Sequence, residues 1–204
     1  MKPVTTITSP GVPLLRDNID TDTIIPSREM RTTGRTGLAD GLFAPWRYTD
    51  AAARLRDPSF VLNQRDAIAT RLLLAGQNFG CGSSREHAVW ALADFGIRCI
   101  VAPSFGDIFH ANCLKNGLLP VTLETSDYDV IKRAALDMTP IEVDLQDQCI
   151  RIDDTVPVPF DIDAAGKQSL LNGLDEVDGI LAEDADAISA FEKRQKELTP
   201  WLWL

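Results

Sequence analysis

The stretch LLLAGQNFGCGSSREHAVWALADFGIRCIVAPSFGDIFHANCLKNGLLPVTL, residues 72–123, decides the fold. Residues 72–75 form a short apolar run of the kind that fills a buried strand. Residues 84–95 carry the 3.6-residue periodicity of a helix stopped by Gly96. The next strand is expected over 97–102, a helix over 106–116 stopped by Gly117, and a third strand over 118–123. Two consecutive strand, helix, strand units need crossover connections, so these strands should lie parallel with right-handed crossovers. A further helix is expected over 127–137, opened by Ser126 and Asp129 in capping-box spacing.

The flanks read differently. Residues 4–8 and 12–15 look like two short strands divided by a Pro10-Gly11 turn. Residues 141–145 and 148–152 alternate apolar and polar across Gln146-Asp147, the pattern of a hairpin. Residues 156–162 contain Pro157 and Pro159 and are confined to a sheet edge. Two helices, over 164–172 and 183–198, are expected to close the chain. The least regular part is 28–57, which carries Gly34, Gly37, Gly41 and Pro45 among Arg28, Arg31, Arg35 and Arg47. A long loop of this composition is either functional and mobile or a solvated surface. Without a repeat or an interdomain linker, residues 1–204 read as one mixed α/β domain with central parallel strands and flanking antiparallel strands.

The chain of 204 residues carries 20 Lys and Arg against 30 Asp and Glu, a net charge of −10, which argues against nucleic acid as a partner. Hydrophobic residues at 45% and charged residues at 25% are those of a globular protein rather than a disordered one. No apolar run approaches the ~18 residues of a membrane span, and residues 1–6 lack the apolar core of a signal peptide, so a soluble cytoplasmic protein is expected. Cys81, Cys99, Cys113 and Cys149 include no CxxC pair. They read as reduced thiols rather than a disulfide scaffold, and Cys81, His87, His110 and Cys113 lack the paired spacing of a zinc cage, so no metal is expected here.

The chemistry concentrates in residues 76–88. This segment follows a strand and opens a helix, which makes it a natural anion site. Gly80 and Gly82 permit close backbone approach, Ser83 and Ser84 offer hydroxyls, and Arg85 offers a fork that matches a carboxylate. Spacing alone also allows Ser83 and Glu86 to be a capping box and His87 to be an ordinary helix-face histidine. Cys81 near the helix start would make a nucleophile, but no base for it is evident. These residues define a carboxylate or phosphate pocket and leave its reaction open.

Residues 78–88, NFGCGSSREHA, resemble the corresponding motif in the mobile fourth domain of the aconitase superfamily, and most closely that of bacterial 3-isopropylmalate dehydratase small subunits. Residues 18–26 (NIDTDTIIP), 60–63 (FVLN), 102–109 (APSFGDIF), 116–121 (NGLLPV) and 171–175 (LNGLD) are similar to the same family at compatible spacing. The resemblance implies a swivelling β/β/α domain that caps an active site built mainly by a separate large subunit. That subunit would carry a [4Fe–4S] cluster, which explains the lack of a cysteine cluster in this chain. The implied reaction removes water from 2-isopropylmalate and adds it back at the neighbouring carbon to give 3-isopropylmalate, in leucine biosynthesis. The partner's iron polarises the leaving hydroxyl.

By the same resemblance Ser83 is the base that takes a proton from carbon, and Arg85 binds a substrate carboxylate with Ser84 close by. Asp22, Gly80, Gly82 and His87 support them, while Asp20 is expected to shape a turn. If Ser84 caps the helix, Ser83 is left free to point into the cleft. Where many relatives carry an aromatic and leucine pair, this chain has SREMR at 27–31, so Arg28, Arg31 and Arg35 become candidate carboxylate contacts. That departure keeps open a related diacid such as 2-methylmalate or homoaconitate, or a scaffold that has lost the chemistry. The apolar tail at 200–204 is expected to pack on the domain or dock a partner, and Asp175, Glu176, Asp178, Glu183, Asp184 and Asp186 form a solvated face.

Overall fold

The computed structural model describes residues 1–64, 70–153 and 155–203. In chain order its elements are β1 (Thr6–Leu14), α1 (Thr21–Ile24), α2 (Ala44–Arg47), β2 (Tyr48–Asp50), β3 (Leu55–Arg56), β4 (Leu72–Ala75), α3 (Glu86–Phe95), β5 (Cys99–Ala102), α4 (Asp107–Lys115), β6 (Leu119–Thr122), α5 (Thr125–Leu136), β7 (Pro140–Asp144), β8 (Cys149–Arg151), β9 (Val158–Pro159), α6 (Ala164–Asn172) and α7 (Glu176–Leu198). One sheet runs β6-β5-β4-β1-β7-β8-β9, and β2 with β3 forms a small hairpin. β6, β5, β4 and the end of β1 pair in parallel, while β7, β8 and β9 continue the sheet antiparallel.

β1 joins the two halves. Thr6 to Pro10 pair antiparallel with β7, and Gly11 to Leu14 pair parallel with β4. The expected turn at Pro10-Gly11 is therefore absent, and one strand of 9 residues replaces two short ones. Pro10 faces Pro140 at the end of the antiparallel ladder, where no further N–H is needed. A Cβ at Gly11 would lie 2.7 Å from Leu74 Cδ1, so a residue that reads as a turn former is here the condition for close strand approach.

Both faces of the parallel half are covered. Leu73 and Ala75 join Phe79, Val89, Leu92 and Phe109 on the α3–α4 side, whereas Leu72 and Leu74 join Ile7, Ile131 and Ile141 on the α5 side. That is the period-2 alternation of a strand whose two faces are both dry. All of β4 and β5 is fully buried, and each leucine buried this way stabilises the fold by ~1.5–3 kcal/mol.

Element boundaries moved where caps were inferred from spacing. α3 starts at Glu86 with Arg85 as its extended N-cap residue. α5 starts at Thr125 behind Glu124, with no side-chain cap, so Ser126 and Asp129 form no capping box. α7 starts at Glu176 rather than at residue 183, because Asp175 and Asp178 make a reciprocal capping box.

The stretch 28–57 is more organised than its composition suggests. Leu38, Leu42, Phe43 and Ala44 are fully buried, and Asp94 at the end of α3 accepts hydrogen bonds from Leu38 N and Ala39 N, both at 2.8 Å. Buried Arg47 donates to the Ala39 carbonyl at 2.6 Å and to Asn63 Oδ1 at 3.1 Å. Within this stretch, residues 33–37 are exposed and belong to no helix or strand. At the other end of the chain no described residue of α7 is buried, and Trp201 and Trp203 are 66% and 41% exposed, so the tail does not pack into the domain.

Candidate active site

Three loops leave the C-terminal ends of β1, β4 and β5 and are tied into one layer, the position where parallel sheets place their ligands. Asn18 N donates to the Gln77 carbonyl at 2.8 Å, Gly80 N to Ile19 at 2.7 Å and Phe79 N to Ser104 at 3.1 Å. Asn78 adds a bond from its N–H to Ser104 Oγ and one from Nδ2 to Asn18 Oδ1, each 2.8 Å. Beneath them the buried ring of Phe79 meets Phe109 edge-on at 5.4 Å. Gly80 crosses this aromatic floor at φ +74°, and Gly82 turns the chain outward at φ +94°.

Beyond Gly82 come the residues that the sequence singled out. Ser83 and Ser84 are exposed, and neither hydroxyl has a hydrogen-bond partner among the described residues. Neither serine caps α3, which corrects both capping expectations. Arg85 holds the N-cap position in extended conformation, and no side chain closes the helix start. Ala88 N donates to the Arg85 carbonyl at 3.2 Å, while the N–H groups of Glu86 and His87 and the positive end of the α3 dipole remain open beside the serines. Asp20 caps α1 by accepting from Thr23 N at 2.7 Å, the turn-forming role expected of it. Thr21, 1% exposed, donates from Oγ1 to the Ser83 carbonyl at 3.0 Å, and Arg85 Nη1 donates to Asp22 Oδ1.

A cleft of about 540 Å³ opens along α3, lined by Met30, Ser84, Arg85, His87, Trp90 and Lys115 among others. Ser84 rather than Ser83 lines it, because Ser84 caps no helix, which corrects the expectation that Ser83 is the serine in the cleft. His87 stacks obliquely on Trp90, with ring centres 4.7 Å apart, and Trp90 Nε1 donates to Asn116 Oδ1 at 2.9 Å. Of the three loop arginines, Arg35 alone reaches this wall, its guanidinium 5.7 Å from the Trp90 ring. Arg28 lies 3.7 Å from Glu29, and Arg31 donates to the Arg28 carbonyl at 3.3 Å; neither lines the cleft. Met30, Trp90 and Thr21 were not picked out from the sequence. Trp90 follows His87 by three residues on the helix, which is the signal that would have found it.

Among the described residues no three His, Cys, Asp or Glu side chains gather to hold a metal. Cys99, Cys113 and Cys149 are buried, and burial pushes the thiols of Cys99 and Cys113 up. Only Cys81 lies beside the site, so the donor set of this chain does not fit an iron–sulfur cluster. No helix among the described residues is long and apolar enough to cross a membrane.

Residues 1–126 match the family of aconitase C-terminal domains, and residues 183–202 match the family of C-terminal domains of 3-isopropylmalate dehydratase small subunits. The chain is 47% identical over 205 residues to the 3-isopropylmalate dehydratase small subunit of Cupriavidus necator, covering 99% of this chain and 98% of that one. It is 50% identical over 193 residues to 3-isopropylmalate dehydratase small subunit 1 of Bordetella pertussis, covering 94% of each. The crystal structure of a 3-isopropylmalate dehydratase from Methanocaldococcus jannaschii is similar at a TM-score of 0.65 and 29% identity, over 92% of this chain and 99% of that one.

Proposed function

Because the chain belongs to the 3-isopropylmalate dehydratase small subunits of the aconitase superfamily, we propose that it is the small subunit of a cytoplasmic hydro-lyase that interconverts 2-isopropylmalate and 3-isopropylmalate by dehydration and rehydration in leucine biosynthesis. Its partner is a large subunit that holds the [4Fe–4S] cluster, for which the described residues of this chain gather no donor set.

The observation that carries this reading is the loop at 80–85, which presents the unengaged Ser83 hydroxyl beside Arg85 at an open helix start. Arg85 binds one carboxylate of the diacid through the N–H groups that Asp22 leaves unused. Ser83, as the alkoxide, takes the proton from the substrate carbon when water is lost and returns one when water is added. A serine hydroxyl is a weak base, and the α3 N-terminus together with the Arg85 charge favours its ionised form. Met30 and Trp90 give the cleft an apolar wall, which supports a diacid that carries an alkyl substituent.

The test is turnover of 3-isopropylmalate by the purified chain with and without a cluster-loaded large subunit. The chain alone should be inactive and the pair active. Ser83→Ala and Arg85→Lys should each lower turnover of the assembled pair by ~10² or more. Full activity in either variant would remove the role assigned to that residue.

A further inference from the structure

Beside the bridge between Asp20 and Cys81, two hydrogen bonds and an ion pair tie 81–85 to Thr21 and Asp22. Thr21 N donates to the Cys81 carbonyl at 2.9 Å, Thr21 Oγ1 donates to the Ser83 carbonyl at 3.0 Å, and Asp22 accepts from Arg85 Nη1. Thr21 is buried, and α1 is itself fixed by its Asp20 cap and by Ile25 N donating to Thr21 O at 3.0 Å. The loop it holds has no regular structure between Cys81 and the start of α3 and turns through the positive φ of Gly82.

From this geometry we infer that Thr21 and Asp22 are separate positioning residues, Thr21 for the Ser83 hydroxyl and Asp22 for the Arg85 guanidinium. The inference rests on the roles proposed above for Ser83 and Arg85. Thr21 touches no group that reacts. Its hydroxyl fixes the Ser83 carbonyl, hence the peptide plane, and hence the direction of the Ser83 Cα–Cβ bond. A misplacement of ~1 Å in a reacting group lowers the rate of the chemical step ~10²-fold while leaving ground-state binding largely intact. Asp22 acts on binding instead. By engaging Nη1 it selects one rotamer of a long side chain and leaves the rest of the fork facing the cleft, so less side-chain freedom is lost when a carboxylate arrives. One short segment thus sets kcat through one side chain and KM through the next.

Steady-state kinetics of the assembled pair on 3-isopropylmalate separate the two. Thr21→Val, which keeps the shape and removes the hydroxyl, should lower kcat ~10- to 100-fold with KM within ~3-fold of the parent, and Thr21→Ser should restore kcat. Asp22→Ala should raise KM ~3- to 10-fold with kcat little changed. Asp22→Asn, which still offers Arg85 an acceptor oxygen, should restore KM. If Asn behaves like Ala, the role of Asp22 is its charge and the positioning role falls. Should Thr21→Val fold poorly by circular dichroism, Thr21→Ala removes the same hydroxyl with no added apolar surface and must show the same kcat loss. Wild-type constants in Thr21→Val and Asp22→Ala, while Ser83→Ala and Arg85→Lys are impaired, would overturn this inference alone. Full turnover in Ser83→Ala and Arg85→Lys would overturn the underlying reading and this inference with it.

Discussion

A methyl group added at Gly80 would overlap the Phe109 ring while the backbone holds φ at +74°, so Gly80→Ala combines a left-handed alanine with an overpacked contact. The two effects together should destabilise the fold by roughly 2–4 kcal/mol. Urea unfolding checks this, and a loss under about 1 kcal/mol would mean that the Phe109 ring can swing away. At His110, in contact with Phe105, the effect depends on pH. Burial holds its imidazole below the usual value of 6.5, against the opposing pull of Asp163 and Asp107. A base with a lowered folded pKa binds fewer protons folded than unfolded. Its contribution is fully present above pH 6.5 and is lost as pH falls through that value toward the folded pKa. The wild-type thermal midpoint should therefore fall more between pH 7.5 and 5.5 than that of His110→Gln, and parallel pH profiles would sink the assignment. The reactive loop was legible at this scale because Gly80 and Gly82 punctuate it between a strand and a helix. The caps were not, since spacing identifies residues able to bond, whereas the path of the chain after Gly82 decides which residue sits at the helix start.

The βαβαβ run from β4 to β6 appeared in the sequence almost residue for residue, because strands buried on both faces are continuous apolar runs and Gly96 and Gly117 mark the helix ends. The packing of 38–48 left no such trace. Leu38, Leu42 and Phe43 are buried in a cluster with Ile24, Phe60, Leu62 and α3, brought together from distant parts of the chain and not through any repeat of their own. Asp94 is the tether, and Asp94→Ala removes the acceptor of two backbone N–H groups at once. Leaving such donors unmade costs ~1–3 kcal/mol. Hydrogen exchange should show the amides of Leu38 and Ala39 losing protection first, with β4 and β5 unchanged. Equal loss in the sheet would mean that the variant unfolds globally instead. Arg35, at the Trp90 wall of the cleft, precedes the tethered Leu38 by three residues, so the variant should also weaken substrate binding more than it slows chemistry.

For the molecule as a whole, the surface buried on folding lies in the sheet, the helices on its two faces and the packed segment at 38–48, whereas α7 stands outside it. Val177, Leu181, Phe191 and Leu198 are all more than half exposed, and the described side chains of this 23-residue helix leave none buried. Its local support is the Asp175–Asp178 capping box, worth ~1 kcal/mol, and it lacks the tertiary packing that supplies most of a helix's stability in a folded protein. The N-terminus is anchored before α7 begins, by Met1 N donating to Gly173 O at 2.7 Å and Val4 N to Leu170 O at 2.8 Å. A chain ending at Leu174 keeps both bonds and both sides of the core. The urea m-value follows the surface exposed on unfolding, and removing a helix that buries almost nothing leaves that surface nearly the same. The shortened chain should therefore keep its m-value and its thermal midpoint to within ~2–4 °C, while losing the helical ellipticity of α7. In the full chain the α7 amides should exchange fast against protected β4 and β5. A clearly smaller m-value, a collapse of the midpoint, or slow exchange along α7 would each mean that this helix packs on the domain, contrary to the structure.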